Sequence, residues 1–279
     1  MSARNDQESM AEEVWRTYLT TGDYDAERRQ RRFFRFLPGS PRCKSCYAPF
    51  SGAGSAVVRL FYSKKPSNMN PHLCNVCEEF ARKYPGGAEV ELSLLFADVR
   101  GSTQLAEMLG TTQFSRLINR FYRIASHILV ESDALIDKII GDQVAGIYVP
   151  GFAGTKHARR AIESGRTLLA ATGHGDANNP WIPLGVGIHT GTAYVGSVGS
   201  KDGTMDITVL GDVANTAARL ASEAKTGEIL ISDSAYQASE LKPGFLDMRQ
   251  LALKGKSQAV SVHVLDEHSQ SLPMFAEGS

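Results

Sequence analysis

Apolar positions recur along this chain with two periods, and the places where one gives way to the other mark its elements. Residues 89–97 read as a strand, alternating at first and then continuously apolar from Leu94 to Ala97. Residues 113–130 change to a helical period, with Phe114, Leu117, Ile118, Phe121, Ile124, Ala125 and Ile128 on one face. Two strand-like runs, 134–140 and 144–149, flank Gly141-Asp142 and predict a hairpin. A second helix is expected over 156–171, strands near 183–190, 192–198 and 206–210, a helix over 212–224, and strands near 228–231, 247–253 and 258–265. Strands interspersed with helices and hairpins predict an α+β architecture, helices packed on a mostly antiparallel sheet.

Upstream the pattern is different. Residues 9–36 read as helical, with Trp15, Tyr18 and Leu19 at i, i+3, i+4 and a break around Thr21-Gly22-Asp23. Pro38-Gly39-Ser40-Pro41 stops any helix, and Tyr84-Pro85-Gly86-Gly87 marks a second boundary. The expected organisation is a helical segment 1–37, a cysteine module 38–87, a large domain 88–267 and a disordered tail 268–279.

Composition narrows the functional classes. The 279 residues are 42% hydrophobic, enough for a substantial core, and no apolar run approaches the roughly 18 residues of a membrane span. With no leader-like apolar segment at the start, a cytoplasmic location is expected. Lys and Arg total 30 against 30 Asp and Glu, so no global field draws the chain to nucleic acid, and no nucleic-acid partner is expected. The balance is segmental: residues 1–27 carry two Arg against seven acids, and residues 28–37 five Arg and no acid. Residues 38–85 carry seven basic against two acidic side chains, and the remainder is acidic. The arginines are therefore expected to meet the acidic stretch before them or the acidic domain, with Phe33, Phe34 and Phe36 packing on the cysteine module.

The four cysteines form two pairs, Cys43-Lys44-Ser45-Cys46 and Cys74-Asn75-Val76-Cys77. Four thiolates from two tight turns make a closed tetrahedral site, which suits structural Zn2+; an iron–sulfur cluster or a redox dithiol fits the same spacing. His72 lies close by, but four cysteines already fill a site.

Four further motifs carry chemistry. Phe96-Ala97-Asp98-Val99-Arg100-Gly101-Ser102-Thr103 runs from a strand end through glycine into a helix, placing backbone N–H groups beside a carboxylate. Read alone, Asp98 is a strand-end helix cap. Asp142 sits at the hairpin tip, itself an ordinary turn, but two aspartates at neighbouring strand ends can hold hard divalent cations. In Gly211-Asp212-Val213-Ala214-Asn215-Thr216-Ala217-Ala218-Arg219, Asp212 can cap the helix, while Asn215 and Arg219 share a face. That pair suits a sugar oxygen and a phosphoryl group, or is simply a solvated face. Leu253-Lys254-Gly255-Lys256 lies between two strands, where a charged turn is the plain reading.

Together and in this order these motifs resemble the catalytic domain of the class III adenylyl/guanylyl cyclases over about residues 89–265. The resemblance implies a ferredoxin-like βαββαβ core acting as a head-to-tail homodimer with ATP as substrate. It makes Asp98, Asp142 and the Val99 backbone ligands of two Mg2+ or Mn2+ ions per active site, and Gly101, Ser102 and Thr103 a phosphate cradle. Asn215 would orient the ribose, Arg219 would stabilise the transition state, and Lys254, with Lys256, would hold the triphosphate. Lys138 and Thr208 fall on the purine-selecting positions. An ammonium donates to adenine N1 and a hydroxyl accepts from its exocyclic amine, whereas guanine reverses both groups; ATP is therefore expected over GTP, loosened because Thr can also donate. A guanylyl cyclase, a silent nucleotide-binding scaffold of the same fold, or a nucleic-acid-binding regulator are the competing readings. The diguanylate-forming enzymes share a similar core, but their Gly-Gly-Asp/Glu-Glu-Phe signature is missing from Ile140-Gly141-Asp142-Gln143.

Overall fold

The computed structural model describes residues 2–21, 25–175, 180–200, 203–242, 244–254 and 259–266, without the side chains of 2–7, 25, 26, 28 and 138–140. Lys256 and the tail expected over 268–279 lie outside the described residues.

Helices α1 (Ser2–Thr20) and α2 (Asp25–Phe36) occupy the stretch whose apolar spacing is helical. The cysteine segment holds two helices that its sequence did not announce, α3 (Gly52–Tyr62) and α4 (Asn75–Lys83). Glycine-rich α3 has low intrinsic propensity, yet Gly54 must be glycine, because a Cβ there would lie 2.1 Å from the Pro38 carbonyl oxygen.

Strand β1 (Gly86–Val99) opens the large domain. It leads through α5 (Ser102–Leu109) and α6 (Thr111–Glu131) to the hairpin β2 (Leu135–Ile140) and β3 (Gln143–Tyr148). Next come α7 (Pro150–Ala153), α8 (His157–Ala171), β4 (Leu184–Gly199), β5 (Met205–Leu210) and α9 (Asp212–Glu223). The domain closes with β6 (Ile229–Ser232), α10 (Asp233–Ala238), β7 (Asp247–Leu251) and β8 (Val260–Leu265). The strands lie in the order β2-β3-β1-β4-β6-β8-β7, with β5 paired to β4. Every pairing is antiparallel except β4 with β6, so the expected α+β architecture is the one observed.

One strand prediction is corrected. The two strands expected over 183–198 are a single strand, β4, paired with β1 from Leu184 to Ser197. Its glycines do not break it; they let a helix approach. A Cβ on Gly187 would lie 2.2 Å from the Ala221 amide of α9, and one on Gly191 would lie 3.1 Å from Val213.

Strand β1 is buried on both faces, which accounts for its continuous apolar run. Leu95, Ala97 and Val99 join the core with α6 and α8. Leu92, Leu94 and Phe96 join a second core containing Trp15, Leu19, Phe34, Cys43, Cys74 and Ala217 of α9. Fully buried Trp15 donates its indole N–H to the Tyr84 carbonyl at 2.8 Å, and its burial together with Leu19 stabilises the docking of α1 by roughly 1.5–3 kcal/mol per side chain.

Charge docks the amino-terminal helices as the segment count suggests. Arg31 donates to the Ala134 carbonyl, and Arg32 pairs with Asp133 at 3.0 Å. The aromatic expectation holds only in part: Phe34 packs edge-on against Tyr62 at 4.9 Å, while Phe36 is 71% exposed. Among the described residues, no helix is long and apolar enough to cross a membrane.

Candidate functional site

The carboxyl end of β1 holds the first carboxylate. Asp98 pairs in register with Gln143 of β3 on one side and Gly185 of β4 on the other, and its side chain is buried. One residue on, the Val99 amide donates to the Asp142 carbonyl at 3.1 Å, tying the hairpin tip to the end of β1. Gly141 takes φ +65°, the positive value a tight two-residue turn requires at its first position, and its carbonyl accepts from the Tyr122 hydroxyl at 2.5 Å. Burial pushes the Tyr122 phenol up, and the Asp142 charge adds to it.

Arg100 turns back to ion-pair with Asp98, and its guanidinium also donates to the Ser222 carbonyl of α9 at 2.5 Å. Burial lowers the guanidinium, opposed by the charges of Asp142 and Glu223. Two carboxylates near the same end of the sheet, with the Arg100 cation already drawn to Asp98, could supply oxygen ligands to a hard divalent ion. Sequence reasoning missed Arg100, although it stands two residues from Asp98.

The capping role read for Asp98 falls to Gly101, which takes φ +63° as the N-cap of α5. Ser102 and Thr103 follow in the first turn of α5, a helix whose leading N–H groups receive no side-chain cap from its N-cap residue. At α9 the capping expectation for Asp212 is likewise corrected. Gly211, at φ +124°, is the N-cap, and Asp212 instead accepts weakly from Thr216 at 3.5 Å. With Ala217, Leu220 and Ala221 buried against the sheet, Asn215 is left exposed and Arg219 half-buried. Lys254 is exposed, following the buried Leu253.

Lys138 stands on β2 opposite Ala145; its side chain lies outside what is described. Thr208 of β5 stands opposite Gly196 of β4, and its hydroxyl donates at 2.7 Å to Asp137, the residue just before Lys138, so the backbones of the two positions expected to select the purine lie near one another. Lys44, from the first cysteine turn, pairs with Asp206 at 2.6 Å and reaches the Asp137 carbonyl at 3.4 Å. Asn70 donates to the Met205 carbonyl at 2.7 Å. No periodicity signalled Asp137, Lys44 or Asp206. Between this cysteine turn, α6 and β2 opens a cleft of about 1000 Å³, with Arg35, His72, Arg123 and Asp137 among its walls.

The sulfurs of Cys43, Cys46, Cys74 and Cys77 all lie within 4.8 Å of one another, and Cys46 and Cys74 are 3.7 Å apart. No disulfide joins them. Cys74 is the N-cap of α4, and its amide donates to Cys43 Sγ at 3.3 Å. Burial pushes the Cys43 thiol up, but hydrogen bonds from the other three sulfurs carry it well below its ordinary value. Burial also lowers the nearby Lys64 ammonium, yet the surrounding thiolates more than offset this and raise it. His72 is exposed and outside the cluster.

The model of the adenylate and guanylate cyclase catalytic domain matches residues 88–267, so the chain belongs to that family and carries a nucleotide cyclase domain. The adenylate cyclase of Anabaena cylindrica is 28% identical over 191 residues, covering 62% of this chain and 36% of that protein. The chain spans about a third of the length of the first curated relatives it matches. The solved adenylyl cyclase CyaB from P. aeruginosa aligns over 64% of this chain and 95% of its own, with a TM-score of 0.54 and 30% identity. The guanylyl cyclase Cya2 aligns over 64% and 93%, with a TM-score of 0.58 and 24% identity, a likeness of fold.

Proposed function

We propose that the chain is an adenylyl cyclase that converts ATP to 3′,5′-cyclic AMP and pyrophosphate. The observation that carries this reading is the link from Val99 to Asp142, which sets two aspartates side by side at one sheet edge within a cyclase domain. Asp98 and Asp142, with the Val99 backbone, would hold two Mg2+ or Mn2+ ions, and Gly101, Ser102 and Thr103 would offer amides to the phosphates. When bound, the ions acidify the ribose 3′-hydroxyl and neutralise triphosphate charge. The 3′-oxygen attacks the α-phosphorus, the bond to the bridging oxygen breaks, and pyrophosphate leaves. Asn215 orients the ribose, Arg219 neutralises charge building on the phosphoryl oxygens, and Lys254 grips the triphosphate. Lys138 and Thr208 select adenine.

Within this reading the aspartates come from one subunit of a homodimer and the α9 residues from its partner. The four cysteines take Zn2+. A tetrahedron with zinc–sulfur bonds of about 2.3 Å has edges near 3.8 Å, close to the 3.7 Å between Cys46 and Cys74, and all four sulfurs lie within 4.8 Å of one another, whereas a cubane cluster holds its thiolates farther apart. Residues 1–37 and 38–87 act as a regulatory unit on 88–267. Because Trp15 and Leu19 share a core with β1, that unit is probed by point variants rather than by deletion.

The test is product analysis of the purified chain with ATP and with GTP, alongside Arg219→Ala. Cyclic AMP is expected as the main product, and Arg219→Ala should lower turnover by about 100-fold or more while ATP still binds. Undiminished turnover in that variant, or a dominant cyclic GMP product, overturns the reading.

A further inference from the structure

Thr is an ambiguous selector of purines, because a hydroxyl both donates and accepts. In this chain the ambiguity is removed by a neighbour. The Thr208 hydroxyl spends its proton on Asp137 Oδ1 at 2.7 Å, and the same oxygen accepts from the Val209 amide at 3.4 Å. A carboxylate only accepts, so the direction of the bond is fixed and Thr208 turns nothing but lone pairs toward a ligand.

Backbone geometry supports a built arrangement. Along β2, Ile136 stands opposite Gly146 and Lys138 opposite Ala145, which leaves Asp137 as the extra residue of a β-bulge. A bulge re-aims a side chain out of the regular alternation, and here the carboxylate crosses to β5. Asp137 is 5% exposed. Its carbonyl is held by Lys44, which also pairs with Asp206 two residues before Thr208, so both strands are pinned to the first cysteine turn.

We infer that Asp137 is a positioning residue for nucleobase selection: it commits Thr208 to accepting, which matches the exocyclic amine of adenine and opposes the carbonyl oxygen of guanine. This rests on the cyclase reading of Lys138 and Thr208 and deepens it. Selectivity therefore lies in a Thr208–Asp137 unit rather than in Thr208 alone.

The experiment measures kcat/KM for ATP and GTP, and competitive binding of the two nucleotides, in Asp137→Ala and Asp137→Leu. Both substitutions remove the acceptor at different volume, so one folded variant suffices. The freed hydroxyl can rotate and donate to guanine, and the GTP-to-ATP ratio should rise at least about 5-fold. Asp137→Asn, which can keep an oxygen acceptor, should retain most of the adenine preference. On a Thr208→Val background, Asp137→Ala should no longer move the ratio. A ratio unchanged within about twofold while both substrates decline in parallel would make Asp137 a structural strut and overturn the inference. So would a shift that persists without the Thr208 hydroxyl. If the wild-type chain cyclises neither nucleotide, the cyclase reading fails, and the binding ratios still decide this one.

Discussion

The Val99 amide donates to the Asp142 carbonyl over 3.1 Å, and this one bond sets two aspartates 44 positions apart in sequence at the same edge of the sheet. Asp142 is half-buried at a turn whose shape comes from Gly141. Removing its carboxylate should thus affect chemistry far more than folding. Asp142→Ala is expected to lose several kcal/mol of transition-state stabilisation, about two decades or more in turnover, while stability moves by no more than about 1 kcal/mol. Turnover at saturating Mg2+ or Mn2+ and a urea midpoint check the two halves; retained activity removes Asp142 from the metal set.

Asp98 sits at the end of β1, whereas Asn215, exposed, and Arg219, half-buried, lie on α9. If active sites are shared between subunits, chains carrying Asp98→Ala and chains carrying Asn215→Ala should rescue each other. Half of the dimers in an equal mixture are then mixed, each with one intact site, giving about a quarter of wild-type activity. The readout is specific activity against mixing ratio after co-refolding or exchange. Activity that stays at the level of the single variants argues against shared sites.

The strand-to-helix junction at Asp98 and the helix carrying Asn215 and Arg219 were legible as secondary structure because they are local: a strand end, a turn and a helix each follow from a few adjacent residues. Where sequence reading failed, the deciding contact was distant. Gly191 looked like a break between strands, yet it lies inside β4, where a Cβ would press on Val213 of α9 at 3.1 Å. Asp212 is a local exception: it looked like a cap, but the preceding Gly211, at φ +124°, takes the N-cap position and Asp212 falls in the first turn of α9. Asp137 gave no signal, since its bulge and its bond to Thr208 join positions 71 residues apart. The close approach of the four sulfurs likewise involves Cys74 as the N-cap of α4, a helix that the cysteine spacing did not imply.

Asp133 joins three elements, receiving Arg32 of α2 at 3.0 Å and Arg160 of α8 at 2.6 Å. Burial pushes its carboxyl up, but hydrogen bonds and charge from the two arginines win and hold it below the usual range. A folded-state value below the unfolded one stabilises the fold at pH above about 3.9, and this contribution is lost as pH falls through the folded value. Asp133→Asn, which tolerates the residue's φ of +64°, should cost about 1–3 kcal/mol at pH 7. The difference from wild type should hold down to about pH 4 and shrink below it. Urea midpoints of both chains from pH 7 to pH 3 measure this; a gap that does not depend on pH would assign the loss to packing.

Two of the four cysteines, Cys43 and Cys74, belong to the same core as Trp15, Leu92 and Leu94. Metal bound there should therefore stabilise the whole contact between the amino-terminal helices and β1, not only the cysteine turns. Metal analysis of the purified chain should find about one zinc per chain and no visible absorption. Cys77→Ser removes one sulfur at the edge of the cluster, where Cys77 is half-buried. It should lower zinc content and the thermal midpoint together, the shift being about 4 °C or less per kcal/mol lost in a chain of this size. Because Lys44 links the first cysteine turn to Asp206 and Asp137, the same variant is expected to weaken the preference for ATP over GTP while leaving Asp98 and Asp142 in place. A brown protein with bound iron would reject zinc. Zinc loss with no change in stability would instead show that the thiolates are not part of what holds α1 to the sheet.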